Sequence, residues 1–191
     1  MFEEYKICPY TGLRPFTEDE SIYFKGRDEH IEQATKQLEK NKFIMLTGAS
    51  GDGKSSLVYA GIVPNAKAGF LKATFSNWAV ADFRPERKPL GNLSEAVASQ
   101  LGISANTVRT ELGYGFSALA DIYKASTLYY DTRGTEWLES DERSRNEKKR
   151  KAANLIILAD QFEEFFTNPE NFQKGIPSQE AMSVTNLLLE T

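Results

Sequence analysis

The chain has one cysteine, Cys8, and one histidine, His30, in 191 residues. No intrachain disulfide can form, which points to a reducing, cytoplasmic setting. A zinc site built from the usual four Cys and His ligands is excluded, and Cys8 has no Cys/His arrangement around it that would make it a nucleophile. Long apolar runs are also missing: none approaches the ~20 residues needed to span a bilayer. The opening "MFEEYKICPY" lacks the basic-then-apolar order of a secretory signal. Positive charge is not in excess either, with 23 Lys and Arg against 27 Asp and Glu and a formal net charge of -4. Broad nucleic-acid binding is therefore not expected. What is present, 40% hydrophobic and 26% charged residues, fits a folded domain with a sizeable core.

The pattern along the chain alternates strands and helices. "FIMLT" (43–47) is a short apolar run without alternation, the expected form of a strand buried on both faces of a parallel sheet. "NLIILAD" (154–160) is a second such run, and "ATFSNWAVADF" (73–83) can hold a third strand. Helices are expected from about Asp28, where Ile31, Ala34 and Leu38 share a face. A further helix is expected after residue 54, stopped by Pro64. Another runs over "GNLSEAVASQLG", with Asn92 as cap, Glu95 reaching back and Gly102 as the stop. More helix is expected over "FSALADIYKASTLYY" and "TEWLESDERSRNEKKRKAA". The basic run "RSRNEKKRK" is expected to be a solvated helix face, and Trp78 and Trp137 to belong to the core. The chain closes on apolar "AMSVTNLLLET", expected to pack Met182, Val184, Leu187, Leu188 and Leu189 on the sheet and to belong to a longer protein. No repeat or Gly/Ser-rich linker divides the chain. The expected fold is α/β, a mostly parallel sheet flanked by helices.

Between the first strand and its helix lies "LTGASGDGKSSLVYAGIVP" (46–64). Gly48, Gly53, Lys54 and Ser55 satisfy G-x-x-x-x-G-K-[ST]. At average residue usage such a match arises by chance in a chain of this length roughly once in a hundred. Glycines let successive backbone N–H groups turn inward toward phosphate oxygens, and the helix that follows adds its positive end. Lys54 is a point charge for the β- and γ-phosphates, and the Ser55 hydroxyl is a Mg²⁺ ligand. The phosphate-binding set is Gly48, Ala49, Ser50, Gly51, Asp52, Gly53, Lys54, Ser55 and Ser56.

A second candidate group is "ADQFEEFF". Asp160 ends a strand, where open α/β sheets bind ligands, and its carboxylate suits the water shell of Mg²⁺. Glu163 and Glu164 are candidate general bases for an attacking water. If the chain turns helically after Asp160, both return toward it. If it stays extended, only Glu164 shares its face.

Three stretches together resemble the novel STAND NTPases, relatives of the NACHT and NB-ARC ATPases. They are "CPYTGLRPFTEDESIYFKGRDEHI", the loop with its doubled serine and "AGIVP" tail, and "LADQFEEFFT". "FRPERKPLGNLSEAVASQLG" is similar to the family's weaker middle segment. The resemblance implies a P-loop NTPase domain over 28–191, incomplete at its C-terminus, with 1–27 as a leading segment. It implies an ATP/ADP switch with Mg²⁺, oligomerising on activation, with sensor and effector domains outside this chain and roles in bacterial conflict and antiviral defence. Carried onto this sequence, Gly48 to Ser56 bind phosphate and metal, Asp160 is the metal acid, Glu163 or Glu164 is catalytic, and Gly26 and Arg27 lie near the nucleotide. Lys25 stands where the family often has a second aromatic. Two other readings compete: a nucleotide-retaining interaction module without significant turnover, and a P-loop kinase of small molecules. A GTPase is not expected, because no N-K-x-D follows the loop.

Overall fold

Two seven-residue runs rich in apolar side chains, β1 (Asn77–Phe83) and β2 (Ala153–Ala159), pair in parallel. The register runs from Asn77 opposite Ala153 to Phe83 opposite Ala159, and the Asp160 N–H extends the ladder to the Phe83 carbonyl at 3.0 Å. The computed structural model describes residues 11–190, which form two compact units dividing between Ala73 and Thr74. Cys8, the first residues of "CPYTGLRPF" and Thr191 lie outside the described residues.

In the first unit, a 3₁₀ turn (Glu18–Tyr23) precedes α1 (Asp28–Asn41). The expected helix is there, with acids in its first turn and Lys40 in its last, and His30 is exposed. Arg14 forks onto Glu20 at 2.7 and 2.5 Å, which holds the Glu20 carboxyl down at about 2. After the loop, α2 (Lys54–Leu57) runs into a π-helical turn (Val58–Ile62) and then α3 (Val63–Lys67). Pro64 does not stop this helix. The wider π turn precedes it and relaxes the i−4 crowding that a proline creates. Gly61 sits in that turn because a Cβ there would meet the Ile31 side chain at 2.8 Å.

Residues 43–47 are not a strand. Exposed Phe43, Met45 and Thr47 alternate with half-buried Ile44 and Leu46, as strand residues do. No neighbouring chain supplies a ladder among the described residues, and a strand exists only with its partner.

In the second unit, α4 (Pro89–Leu101), α5 (Ala105–Leu112), α6 (Ala118–Ala125) and α10 (Gln179–Leu189) surround one core. Phe83, Leu93, Val97, Val108, Leu119, Phe165, Val184 and Leu187 fill it. α4 starts on Pro89, so Asn92 lies inside it rather than capping it. Its amide instead donates to the Arg84 and Pro85 carbonyls at 2.9 and 3.3 Å. Gly102 ends α4 in the left-handed conformation, as expected. The expected helix over 135–153 is two, α7 (Thr135–Glu139) and α8 (Glu142–Lys151), because Asp141 caps the second by accepting from the Ser144 N–H at 2.7 Å. α8 buries no residue, so its basic run is a solvated face. Trp137 is half-buried, stacked on Tyr130 at 4.5 Å with Arg145 and Lys149 over its ring. α9 (Glu164–Thr167) leads to a hairpin of β3 (Phe172–Gln173) and β4 (Ile176–Pro177), turned by Lys174 and Gly175 at positive φ. On α10, Ala181, Val184 and Leu187 are buried, whereas Met182 and Leu189 are 48% and 62% exposed. Asn154 stitches the start of β2 to the approach of β1. Its amide takes the Phe75 N–H at 3.1 Å and donates to the Phe75 and Asn77 carbonyls at 2.7 and 3.1 Å.

The result is a mixed α/β architecture with a small parallel sheet.

Candidate functional site

The glycine-rich loop lies wholly in the first unit. Gly51 and Gly53 take φ of 89° and 77°, in the region closed to most side chains. Gly53 precedes α2, and its carbonyl takes the Leu57 N–H at 2.8 Å. Lys54 folds back so that its Nζ donates to the Gly48 and Ala49 carbonyls, both at 2.9 Å. The ammonium is thereby held against the loop backbone. Ala49 donates its N–H to Asp52 Oδ2 at 2.6 Å, and Asp52 returns its own N–H to the Ala49 carbonyl at 3.3 Å. Arg27 reaches the same loop, with Nη2 donating to the Asp52 carbonyl at 3.1 Å. Gly26, at φ 78°, makes the turn that aims it. Ser55 is half-buried at the start of α2. Ser56 is buried and points elsewhere: its Oγ accepts the Phe16 N–H at 3.1 Å. The second serine therefore ties the "LRPF" segment to α2.

The acidic group lies wholly in the second unit, at the carboxyl end of the parallel pair. Asp160 follows β2 and Arg84 follows β1, and the parallel register brings them level. Arg84 Nε and Nη2 donate to Asp160 Oδ2 at 3.2 and 3.0 Å. The Asp160 side chain is nearly buried at 10% exposure, so this is a partly desolvated pair.

After Asp160 the chain turns sharply on Gln161, at φ 55°, before entering α9. It neither runs helically from Asp160 nor stays extended. Glu164 is directed to the β1–α4 loop, where its Oε2 accepts the Glu86 N–H at 2.9 Å. Glu86 is itself held at φ 45°. Its carbonyl takes Asn168 Nδ2 at 2.9 Å and Asn171 Nδ2 at 2.5 Å, and Asn171 is 1% exposed. Glu163, by contrast, is exposed and carries no side-chain partner among the described residues. Beside them lies an open cleft of about 700 Å³ lined by Glu86, Arg87, Lys88, Asn92, Glu164 and Asn168.

The structure thus holds Lys54 and Asp52 on one loop with Arg27 reaching it from the start of α1, and Asp160 with Glu164 around the end of the sheet. Sequence reasoning missed Arg84, Glu86 and Asn171. Arg84 had a usable signal: it follows one buried strand as Asp160 follows the other. No cluster of three or more His, Cys, Asp or Glu side chains able to hold a metal occurs among the described residues. No helix among them is long and apolar enough to cross a membrane.

The family described as Novel STAND NTPase 1 matches residues 9–190. The chain belongs to the novel STAND NTPases. Its relatives include UvrABC system protein A of Rickettsia typhi, 27% identical over 117 residues, or 59% of this chain and 12% of the relative. The same protein of Methanothermobacter thermautotrophicus is 28% identical over 110 residues, 57% of this chain and 11% of the relative. That of Mycoplasma genitalium is 26% identical over 117 residues, 61% and 12% respectively. The matched stretch is therefore a small part of these much longer relatives. No solved structure matches this STAND chain.

Proposed function

We propose that this STAND chain is the ATP-binding and ATP-hydrolysing module of a signalling switch, built as a P-loop domain over residues 28–191. The observation that carries the reading is the loop itself: Lys54 gathered on the Gly48 and Ala49 carbonyls, at the start of a helix. Family membership supports it.

The chemistry of the candidate ligands fits Mg²⁺, a hard cation that prefers oxygen and keeps several waters. In the first unit the Ser55 hydroxyl is an oxygen of the kind such an ion takes, and in the second unit the Asp160 carboxylate is another, each assigned to the metal by the family resemblance. When bound, Mg²⁺ neutralises charge on the β- and γ-phosphate oxygens. The chain's own residues do the rest. The loop N–H groups and Lys54 hold the phosphates in line. Of the two glutamates, Glu164 is engaged by the Glu86 N–H, so Glu163 takes the proton of the attacking water. The water oxygen bonds to the γ-phosphorus as the bond to the β-phosphate oxygen breaks, leaving ADP and phosphate. Oligomerisation, sensor and effector domains and a defence role belong to this reading through the family resemblance, and a cytoplasmic setting through the single cysteine.

The test is calorimetric titration of ATP into the chain and into Lys54→Ala. Binding that is lost in the variant supports the phosphate loop; equal binding in both rejects it.

One observation favours a second reading, a module that retains nucleotide with little turnover. Arg84 already neutralises Asp160, the acid a metal would need. Tight ADP retention with no multiple turnover would select this alternative.

A further inference from the structure

A loop with three glycines in six residues, Gly48, Gly51 and Gly53, is a poor receptor unless something orders it. Each residue that a ligand must freeze costs binding free energy, and glycine costs the most. Besides Lys54, which gathers the Gly48 and Ala49 carbonyls, two side chains order this loop. Within it, Asp52 closes a reciprocal pair with Ala49 through its carboxylate and its own N–H, at 2.6 and 3.3 Å. From outside, Arg27, 25 residues earlier in the chain, fixes the Asp52 carbonyl at 3.1 Å. An independent feature agrees. The Asp52 carboxylate lies so close over Gly48 that a Cβ there would meet Oδ2 at 2.8 Å. The loop has been shaped around that carboxylate.

We propose that Asp52 and Arg27 are positioning residues that pre-form the phosphate cradle, Arg27 acting through the Asp52 backbone rather than by touching the nucleoside. The inference rests on residues 48–55 being that cradle. Binding energy otherwise spent on ordering the loop then appears as affinity. The brace needs an acceptor at position 52, not a charge. A carboxylate beside a polyphosphate is in fact repulsive, so asparagine, which keeps a carbonyl oxygen, serves as well or better.

The experiment measures binding of two probes, ATP and inorganic tripolyphosphate, to the 191-residue chain. The variants are Arg27→Ala, Asp52→Ala, Asp52→Asn and Lys54→Ala, each checked for an unchanged circular-dichroism melt. The expected result is that Arg27→Ala and Asp52→Ala each weaken both probes by the same factor, about tenfold, the scale of one charge-assisted contact on an exposed loop. Asp52→Asn should bind both probes at least as tightly as the parent chain. If Arg27→Ala weakens ATP but not tripolyphosphate, Arg27 contacts the nucleoside and the inference fails. It fails equally if either alanine variant is neutral, or if Asp52→Asn weakens binding as much as Asp52→Ala. If Lys54→Ala leaves tripolyphosphate binding unchanged, the cradle reading itself is wrong and the inference falls with it.

Discussion

Replacing Glu164 with alanine should destabilise the second unit, while the same change at the neighbouring Glu163 should not. Glu164 Oε2 accepts the Glu86 N–H at 2.9 Å, and a hydrogen bond to a charged acceptor contributes about 1.5 to 3 kcal/mol. Glu164 is only half-buried, which places its share toward the lower end of that range. The bond also helps keep Glu86 at φ 45°, a left-handed conformation costing a non-glycine residue roughly 1 kcal/mol or more. With the carboxylate gone, only Asn168 and Asn171, both bonded to the Glu86 carbonyl, still oppose relaxation of that residue. The expected loss is about 2 kcal/mol, or about 8 °C in midpoint for a unit of this size. Glu163→Ala removes a solvated side chain and should stay within about 0.5 kcal/mol. Urea unfolding followed by circular dichroism measures both. Equal shifts in the two variants, or a neutral Glu164→Ala, would refute the division of roles between the two glutamates.

Glu163→Gln should reduce steady-state ATP turnover by about a hundredfold or more, the usual scale for losing a general base. Its ATP affinity in calorimetry should be unchanged. Asn154→Ala should cost about 2 to 4 kcal/mol in denaturant unfolding, because it leaves the Phe75 N–H and two carbonyls without their partner near the buried start of β2. Burial, assisted by the neighbouring Tyr129, pushes the Tyr123 phenol up to about 12, against about 10 in an unfolded chain. Folding thus favours the protonated form. The stability this adds is complete below pH ~10 and is lost as pH rises toward 12, so unfolding midpoints should fall across that window. Tyr123→Phe should show a shallower fall; an identical pH slope in both proteins would count against the assignment.

The parts of the fold that could be read in the sequence are those fixed by local chemistry. The turn between residues 48 and 53 was legible because its glycines permit the positive φ that the structure shows at Gly51 and Gly53. α1 and the end of α4 were legible because periodicity, charge placement and Gly102 all act within a few residues. Local rules failed where something distant decided. Pro64 reads as a helix stop, yet the π turn ahead of it lets the helix continue to Lys67. Asn92 reads as a cap, but the preceding proline already starts the helix and frees the amide for the Arg84 carbonyl. The apolar run at residues 43–47 has strand composition and its burial alternates, but pairing is a property of two segments, and composition describes only one.

The acidic group shows the same limit at the level of chemistry. "DQFEE" presents three carboxylates that the sequence cannot rank beyond their spacing. Their roles are separated by contacts that span 76 to 85 positions: Arg84 pairs with Asp160, the Glu86 N–H engages Glu164, and Asn171 holds Glu86 in place. Glu163 is set apart because nothing on the β1–α4 loop reaches it. The ranking therefore depends on the parallel register that brings the ends of β1 and β2 level, and on the left-handed turn at Gln161 that directs one glutamate inward and leaves the other in solvent. Changing Gln161 to glycine, which relieves the φ strain and leaves every carboxylate in place, should preserve that ranking. Changing it to a β-branched residue such as valine, which resists positive φ, should blur it, so that Glu164→Ala in that background loses much of its effect on stability.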